Sequence, residues 1–461
     1  MDKILKAVLK CIKPTQAERR QLERVANEMV VQVNLACAKL GIPARGMLVG
    51  SAARNTWLRS ERDIDIFILF PEETSRAALE QKGLAVARAV AGKRGRERYA
   101  EHPYVTTKLK GFEIDLVPCY DIRDPRKIKS AVDRTPHHQS YVSKHLNPEL
   151  ADEVLFLKKF MDGIGVYGAE LKVQGFSGYL CELLVLSYRT FKGVVEAASK
   201  WSPGEAIDLA KRYRDLGEAK AIFAGQPLII IDPVDPNRNA AAAVSMQNFA
   251  TFVRACQDFT RRPSTKFFSP RPTKVLSAGK IRRTIEQRGT ALICLTFRPP
   301  DVVEDILYPQ LRKTEQALVM QLARAGFEVF RSDVWADSSA AILIELAAAR
   351  LPTVRKRLGP PVTIEAGDFV DKHLASKEKV SGPFIDRVGR LVFEVKRKHV
   401  SARHALEVAL AERAAFGKHV TEALAKGHKI YEGKQIIKLC GDKEFAEFLS
   451  EYLTRRLPWH R

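Results

Sequence analysis

The chain has 461 residues, 46% hydrophobic and 28% charged, which is ordinary globular composition with length for about three domains. Lys and Arg total 76 against 54 Asp and Glu, a formal net charge of +22, and a surplus of that size points to a polyanion, nucleic acid first. No apolar run approaches the ~20 residues of a membrane span, and seven scattered Cys without a Cys-x-x-Cys pair argue against a disulfide framework or a cysteine zinc site.

Lys3, Lys6, Lys10 and Lys13 interrupt the apolar residues at the start, so a signal peptide's core is missing and a cytoplasmic protein is expected. After Pro14, Thr15 and Glu18 form a capping box. Leu22, Val25, Met29, Val33 and Leu40 then recur at helical spacing up to a stop at Gly41. Met47–Val49 reads as a short strand that turns at Gly50-Ser51, and Ile64–Phe70 as a strong strand. A helical stretch over about 74–95 follows, then a strand from Phe112 to Val117 closed by Pro118.

From about 150 to 260 the pattern is helical, with Leu155, Phe156, Phe160, Leu180, Leu183, Leu184 and Leu186 as core and a last helix over Asn239–Phe259. Pro263, Pro270 and Pro272 among basic residues mark 261–274 as a linker or basic loop. Beyond it, Ala291–Phe297 reads as a strand, Val302–Ala325 as a helix, and Phe327–Phe330, Ala341–Leu346 and Leu391–Val395 as strands. This β-α-β-β opening is the order of a ferredoxin-like unit, over about 290–365. The charge supports three parts: residues 1–130 carry +9, 131–260 carry −1 and 261–461 carry +14. The expected class is α+β, with domains at 1–135, 136–260 and 261–461.

The sharpest local signal runs from Gly50 to Phe67. Alternation along a strand sends Asp63 and Asp65 to one face and Ile64 and Ile66 to the other. Two carboxylates side by side repel unless a cation sits between them, and oxygen ligands suit Mg²⁺, which completes its octahedron with substrate phosphates. Gly50 lets backbone approach closely, and Ser51 stands where a helix begins with N–H groups aimed at an anion. A metal site beside a phosphate site is the reading. Glu113-Ile114-Asp115 offers a further carboxylate on a neighbouring strand, and periodicity does not choose between Glu113 and Asp115.

Gly50-Ser51, Asp63, Asp65 and Asp115 resemble the signature of DNA polymerase β-like nucleotidyltransferases. The whole chain resembles the archaeal-type (class I) CCA-adding tRNA nucleotidyltransferases. The supporting stretches are Gly50–Phe67, Glu101–Tyr104, Glu113–Tyr120, Ser130–His138, Gly165–Glu182 and Asp232–Asn239, with a looser match at Asp301–Gln310 and Gly389–Lys398. The resemblance implies a nucleotidyltransferase catalytic domain, a helical central domain and a basic tRNA-binding C-terminal region. It selects Asp115 as third metal ligand. It implies that His138, Lys158, Tyr167 and Arg238 lie around the incoming nucleotide and Arg54 near its phosphates, and it includes His102 and Tyr104 without fixing their roles.

The implied reaction is template-independent addition and repair of the tRNA 3′ CCA with CTP and ATP. The tRNA 3′-hydroxyl attacks the α-phosphate, pyrophosphate leaves, and two Mg²⁺ ions on Asp63, Asp65 and Asp115 clamp the attacking and leaving oxygens. Arg238, a planar fork of donors, suits recognition of the base edge. A poly(A)-type or oligoadenylate-type transferase is the nearest alternative, and a catalytically silent RNA-binding protein the one from another class. Basic residues including Arg261, Lys266, Arg355 and Lys396–Lys398 are candidates for contacting tRNA, whose stems are read by phosphates and shape.

Overall fold

Thr15 caps the second helix as its spacing with Glu18 predicts: its hydroxyl accepts from the Glu18 N–H at 3.2 Å, and the Glu18 carboxylate accepts from the Thr15 N–H at 2.8 Å. The computed structural model describes residues 1–99, 102–412 and 415–461; Glu101 of the Glu101–Tyr104 stretch lies outside the described residues. The chain divides into two units, residues 1–271 with 457–461, and residues 272–456. No helix among the described residues is long and apolar enough to cross a membrane.

The first unit begins with α1 (Asp2–Ile12) and α2 (Gln16–Lys39), followed by β1 (Arg45–Val49), α3 (Gly50–Arg54), β2 (Asp63–Phe70), α4 (Arg76–Ala91), β3 (Arg96–Tyr99), β4 (Pro103–Leu109) and β5 (Phe112–Tyr120). The five strands form one sheet in the order β1-β2-β5-β4-β3, in which only β2 and β5 run parallel. Ile64, Ile66, Ile68, Ile114 and Leu116 share a core with residues of α2 and α4. The strand expected to close at Pro118 continues to Tyr120. β4 pairs with β5 only as far as Leu116, so Pro118 stands where β5 has no partner on that side, a position that tolerates a missing N–H.

A helical part completes this unit: α5 (Arg134–His145), α6 (Pro148–Gly163), α7 (Gly178–Tyr188), α8 (Phe191–Ala198), the parallel pair β6 (Glu205–Ile207) and β7 (Leu228–Ile230) around α9 (Leu216–Ile222), and α10 (Met246–Arg261). The helix expected from Asn239 starts only at Met246, with Ser245 as its cap. Asn239 accepts from the Ile230 and Ala241 N–H groups, each at 2.8 Å, and donates to the Leu228 carbonyl at 2.7 Å. A side chain that satisfies backbone groups this way competes with helix formation. The stretch 261–274 is no free linker either, because Phe267 and Phe268 are buried in the helical core and Phe267 stacks on Phe160 at 5.7 Å.

The second unit contains α11 (Ala278–Arg288), β8 (Ala291–Phe297), α12 (Glu304–Arg324), β9 (Val329–Ala336) and β10 (Ala340–Leu346). It continues through β11 (Val354–Pro361), α13 (Gly367–Leu374), β12 (Lys379–Ile385), β13 (Arg390–Lys396), α14 (Ala402–Glu412), α15 (Lys418–Lys426), β14 (His428–Glu432) and α16 (Lys443–Thr454). Its main sheet is antiparallel in the order β14-β8-β10-β9, the ferredoxin-like arrangement. The fourth strand lies well beyond the 290–365 stretch because a separate sheet, β11-β13-β12, is inserted before α14. The strand expected at Phe327–Phe330 is displaced to Val329–Ala336, where it follows β10 along its length. Cores on both faces of the main sheet leave every residue of β10 buried.

Candidate active site

The parallel register of β2 and β5 sets Asp65 opposite Asp115 and Asp63 opposite Glu113. Alternation buries Ile64, Ile66, Ile114 and Leu116 and leaves the carboxylates together on the other face. On the other side of β2, Val49 stands opposite Asp65, so α3 opens beside the acids. Gly50 has φ +78°, and a Cβ there would lie 2.2 Å from Asp65 Oδ2. Only glycine combines that backbone conformation with that approach. Ser51, half-buried, is the second residue of the short α3.

Asp115 and Glu113, equivalent by periodicity, sit in different surroundings. Thr106 Oγ1 donates to Asp115 Oδ1 at 2.6 Å. Glu113 lies against surface cations, 3.5 Å from Lys108 Nζ and 3.9 Å from Arg98. Burial, reinforced by Asp115 and Asp63, pushes the Asp65 carboxyl up to about 6, against the opposing charges of Arg54 and Lys158. Burial likewise raises Asp63, with added repulsion from Glu61, Glu113 and Asp115, and raises Asp115 in spite of the Thr106 hydrogen bond. Three carboxylates that are all raised, Asp65 in part by the other two, fit a divalent cation. Among the described residues, no three His, Cys, Asp or Glu are already gathered tightly enough to hold a metal ion by themselves.

The expected nucleotide residues fall into two groups. In the first, Lys158 is 2% exposed, its Nζ 3.6 Å from Glu61 Oε2 and 5.9 Å from the centre of the Tyr167 ring. The Tyr167 hydroxyl donates to Glu61 Oε1 at 3.2 Å, and burial beside that acid raises its pKa. In the second, His138 stacks on Tyr179 with ring centres 4.0 Å apart. Asp232 Oδ2 meets His138 Nε2 at 2.9 Å and accepts from Arg238 Nη1 at 2.7 Å, while its Oδ1 accepts from the Tyr179 hydroxyl at 3.2 Å. Burial alone would raise Asp232, yet the His138 and Arg238 contacts hold it well below the usual carboxylate range. Burial lowers His138 despite the Asp232 hydrogen bond.

Arg54 is tied down between these groups. Its Nε donates to Glu182 Oε1 at 2.8 Å and its Nη1 to Gln139 Oε1 at 2.6 Å, with Thr56 Oγ1 donating to the same Glu182 oxygen at 2.6 Å. Arg54 acts electrostatically on both Asp65 and His138, so the acids and the His138 group share one field. His102 is buried with Nδ1 3.5 Å from Glu80 Oε1, and Tyr104 lies half-buried on β4. Glu61, Tyr179, Glu182 and Asp232 escaped the residue-by-residue reading. The available signal was that a buried Lys or Arg requires a partner, and each of these residues lies within a stretch already singled out.

Three families match consecutive parts of the chain: a nucleotidyltransferase domain over residues 32–138, the second domain of tRNA nucleotidyltransferase over 152–269, and the C-terminal domain of CCA-adding enzyme over 288–433. The chain is 44% identical over 455 residues to the CCA-adding enzyme of Methanosarcina barkeri, covering 97% of both chains. It is 40% identical over 453 residues to that of Halobacterium salinarum, covering 98% of both. It is also 40% identical to that of Methanothermobacter thermautotrophicus, covering 98% of this chain and 97% of the other.

Proposed function

The chain belongs to the CCA-adding enzymes, and from that premise we propose how its residues divide the work of building CCA on the 3′ end of tRNA. The nucleotides are CTP and ATP, taken in turn, and the cations are two Mg²⁺ held by Asp63, Asp65 and Asp115. When bound, the cations supply Lewis-acid charge for the attacking hydroxyl and the departing pyrophosphate. Thr106 donates a hydrogen bond to Asp115 and so helps orient this carboxylate, which serves the ion at the tRNA 3′-hydroxyl. The backbone at Gly50 and the hydroxyl and N–H of Ser51 orient the β- and γ-phosphates.

Lys158 supplies positive charge from below the site, and Tyr167 lies against the sugar. Arg54, held in place by Glu182 and Gln139 through its Nε and Nη1, contributes its positive charge near the phosphates. Arg238, 36% exposed at its side chain, retains donors beyond the one given to Asp232, and with His138 it reads the base edge. The second unit binds the tRNA acceptor end and stem. All seven cysteines are free thiols, which suits a reducing cytoplasm.

The observation that carries the catalytic assignment is the placement of Asp65 opposite Asp115, beside a glycine whose position leaves no room for a Cβ. The test is incubation of the purified protein with Mg²⁺ and a tRNA transcript lacking its CCA, each labelled nucleotide supplied singly and then CTP with ATP. Two C additions, one A and a stop are expected. Long A tails point to a poly(A)-type enzyme, and RNA binding without incorporation to a silent binder. Full incorporation by Asp65→Ala or Asp115→Ala overturns the metal-ligand assignment.

A further inference from the structure

Arg54, Lys158 and Arg238 are not paired in the same way. Arg54 donates to Glu182 at 2.8 Å, and that carboxylate is 1% exposed. Arg238 donates to Asp232 at 2.7 Å, and that carboxylate is fully buried. Both pairs are hydrogen-bonded to an acid that water does not reach. Lys158 Nζ lies 3.6 Å from Glu61 Oε2, too far for a hydrogen bond. Its ammonium makes no hydrogen bond to any other group among the described residues.

The two partners of this loose pair differ in freedom. Lys158 is 2% exposed, and the Glu61 side chain is 22% exposed. The lysine stem is confined by Gly178, where a Cβ would stand 3.3 Å from Lys158 Cε. Glu61 sits on the loop between α3 and β2, and its charge does not depend on Lys158 for support. Its Oε2 also accepts from the Leu58 N–H at 3.0 Å, and its Oε1 accepts from the Tyr167 hydroxyl at 3.2 Å. A buried ammonium requires an anion and has three donors to give. The acid that faces it reaches solvent, so it can withdraw at small desolvation cost.

We propose that Glu61 is an exchangeable counter-ion, which neutralises Lys158 before nucleotide binds and yields the ammonium to a phosphate oxygen of the incoming nucleotide. The proposal rests on the reading of Lys158 as a nucleotide residue and adds to it a residue that limits nucleotide affinity. The buried charge is compensated at every stage, and breaking the Glu61 pair is subtracted from the gain on binding. Lys158 meets phosphate and not base, so the limit acts on CTP and ATP alike.

The test uses the full-length protein with Mg²⁺ and without tRNA. The Kd for CTP and for ATP is measured for wild type, Glu61→Gln, Glu61→Asp, Lys158→Met and the double variant Glu61→Gln/Lys158→Met. Incorporation into a tRNA transcript lacking CCA is measured beside it.

Glu61→Gln is expected to bind both nucleotides about fivefold to tenfold more tightly, by the same factor for each. A side chain that only supports the fold would weaken binding when altered. Glu61→Asp, which keeps the charge and withdraws it by one methylene, falls between wild type and Glu61→Gln. In the Lys158→Met background the same Glu61→Gln change leaves the Kd unaltered, because no ammonium remains to be contested. Unchanged or weaker nucleotide binding by Glu61→Gln overturns the proposal. So does an equal tightening with and without Lys158, since Glu61 then acts only as a general repulsive charge. If wild type still adds CCA in either case, the nucleotidyltransferase reading stands. A wild-type protein that binds no CTP overturns both. Tighter binding by Glu61→Gln in a protein that adds no nucleotide supports the exchange and sinks the catalytic reading.

Discussion

Asp65 stands directly opposite Asp115 across the one parallel strand pair of the first sheet. Burial, Asp115 and Asp63 push its carboxyl up to about 6 from an ordinary value of 3.8. In that window the folded protein binds more protons than the unfolded chain, so stability falls as pH rises from about 4 to about 6. Without added metal, Asp65→Asn is expected to be more stable than wild type above pH 6, by about 1–3 kcal/mol. The gap should close towards pH 4. Urea unfolding at pH 4.5 and pH 7.5 checks this, and equal gaps at both values contradict it.

The same relationship predicts a response to Mg²⁺. Three mutually repelling carboxylates gain a neutralising partner, so Mg²⁺ should raise the wild-type melting temperature in a concentration-dependent way. Asp65→Asn should show a much smaller rise. Removal of divalent metal with EDTA should stop nucleotide incorporation and leave tRNA binding in place. Thermal melts with and without Mg²⁺, beside a gel-shift assay in EDTA, read out each part.

Gly50→Ala places a methyl group on Asp65 Oδ2 at a positive φ. The Asp65 carboxylate must move, and if it holds the metal as proposed, a shift of about 1 Å at a reacting group costs on the order of 10²-fold in rate. Turnover should fall by that order while circular dichroism and tRNA affinity stay near wild type. Wild-type turnover in a folded Gly50→Ala protein would mean the acids are not where the chemistry happens.

Asp232 holds His138 and Arg238 on one oxygen. Arg238→Ala and Asp232→Asn should each raise the KM for nucleotide about tenfold or more, the range of one charge-assisted contact. The ratio of C to A incorporation should shift as well. A raised KM with the C and A choice intact would remove Arg238 from base recognition and leave it only a binding role.

Glu61 joins Lys158 to Tyr167. Glu61→Gln keeps the shape and removes the charge facing a buried ammonium. It should destabilise the protein by about 1–3 kcal/mol, and saturating nucleotide should recover part of that loss, because phosphate then faces Lys158. Melting curves with and without CTP measure both effects.

Much of the site was legible in one dimension because strand alternation is a local rule. Asp-x-Asp inside an apolar strand places both acids on one face whatever the rest of the chain does, and Thr15 with Glu18 caps a helix from sequence spacing alone. Local rules failed where a distant partner decided the outcome. Asn239 sits in a helix-like run, yet its side chain is claimed by the backbone of residues 228 and 230. Phe267 and Phe268 sit in a proline-rich basic stretch, yet the core around Phe160 buries them.

The sequence alone determined the alternating acidic strand, the glycine turn ahead of it, the basic ends of the chain and the family resemblance, since each is written in neighbouring residues. Only the tertiary structure distinguished the surroundings of Asp115 from those of Glu113, by bringing up Thr106 for one and surface cations for the other. It alone matched Lys158 with Glu61, Arg54 with Glu182 and Arg238 with Asp232. Charges act through space, and residues far apart in the chain become neighbours only when strand register and core packing have set their places.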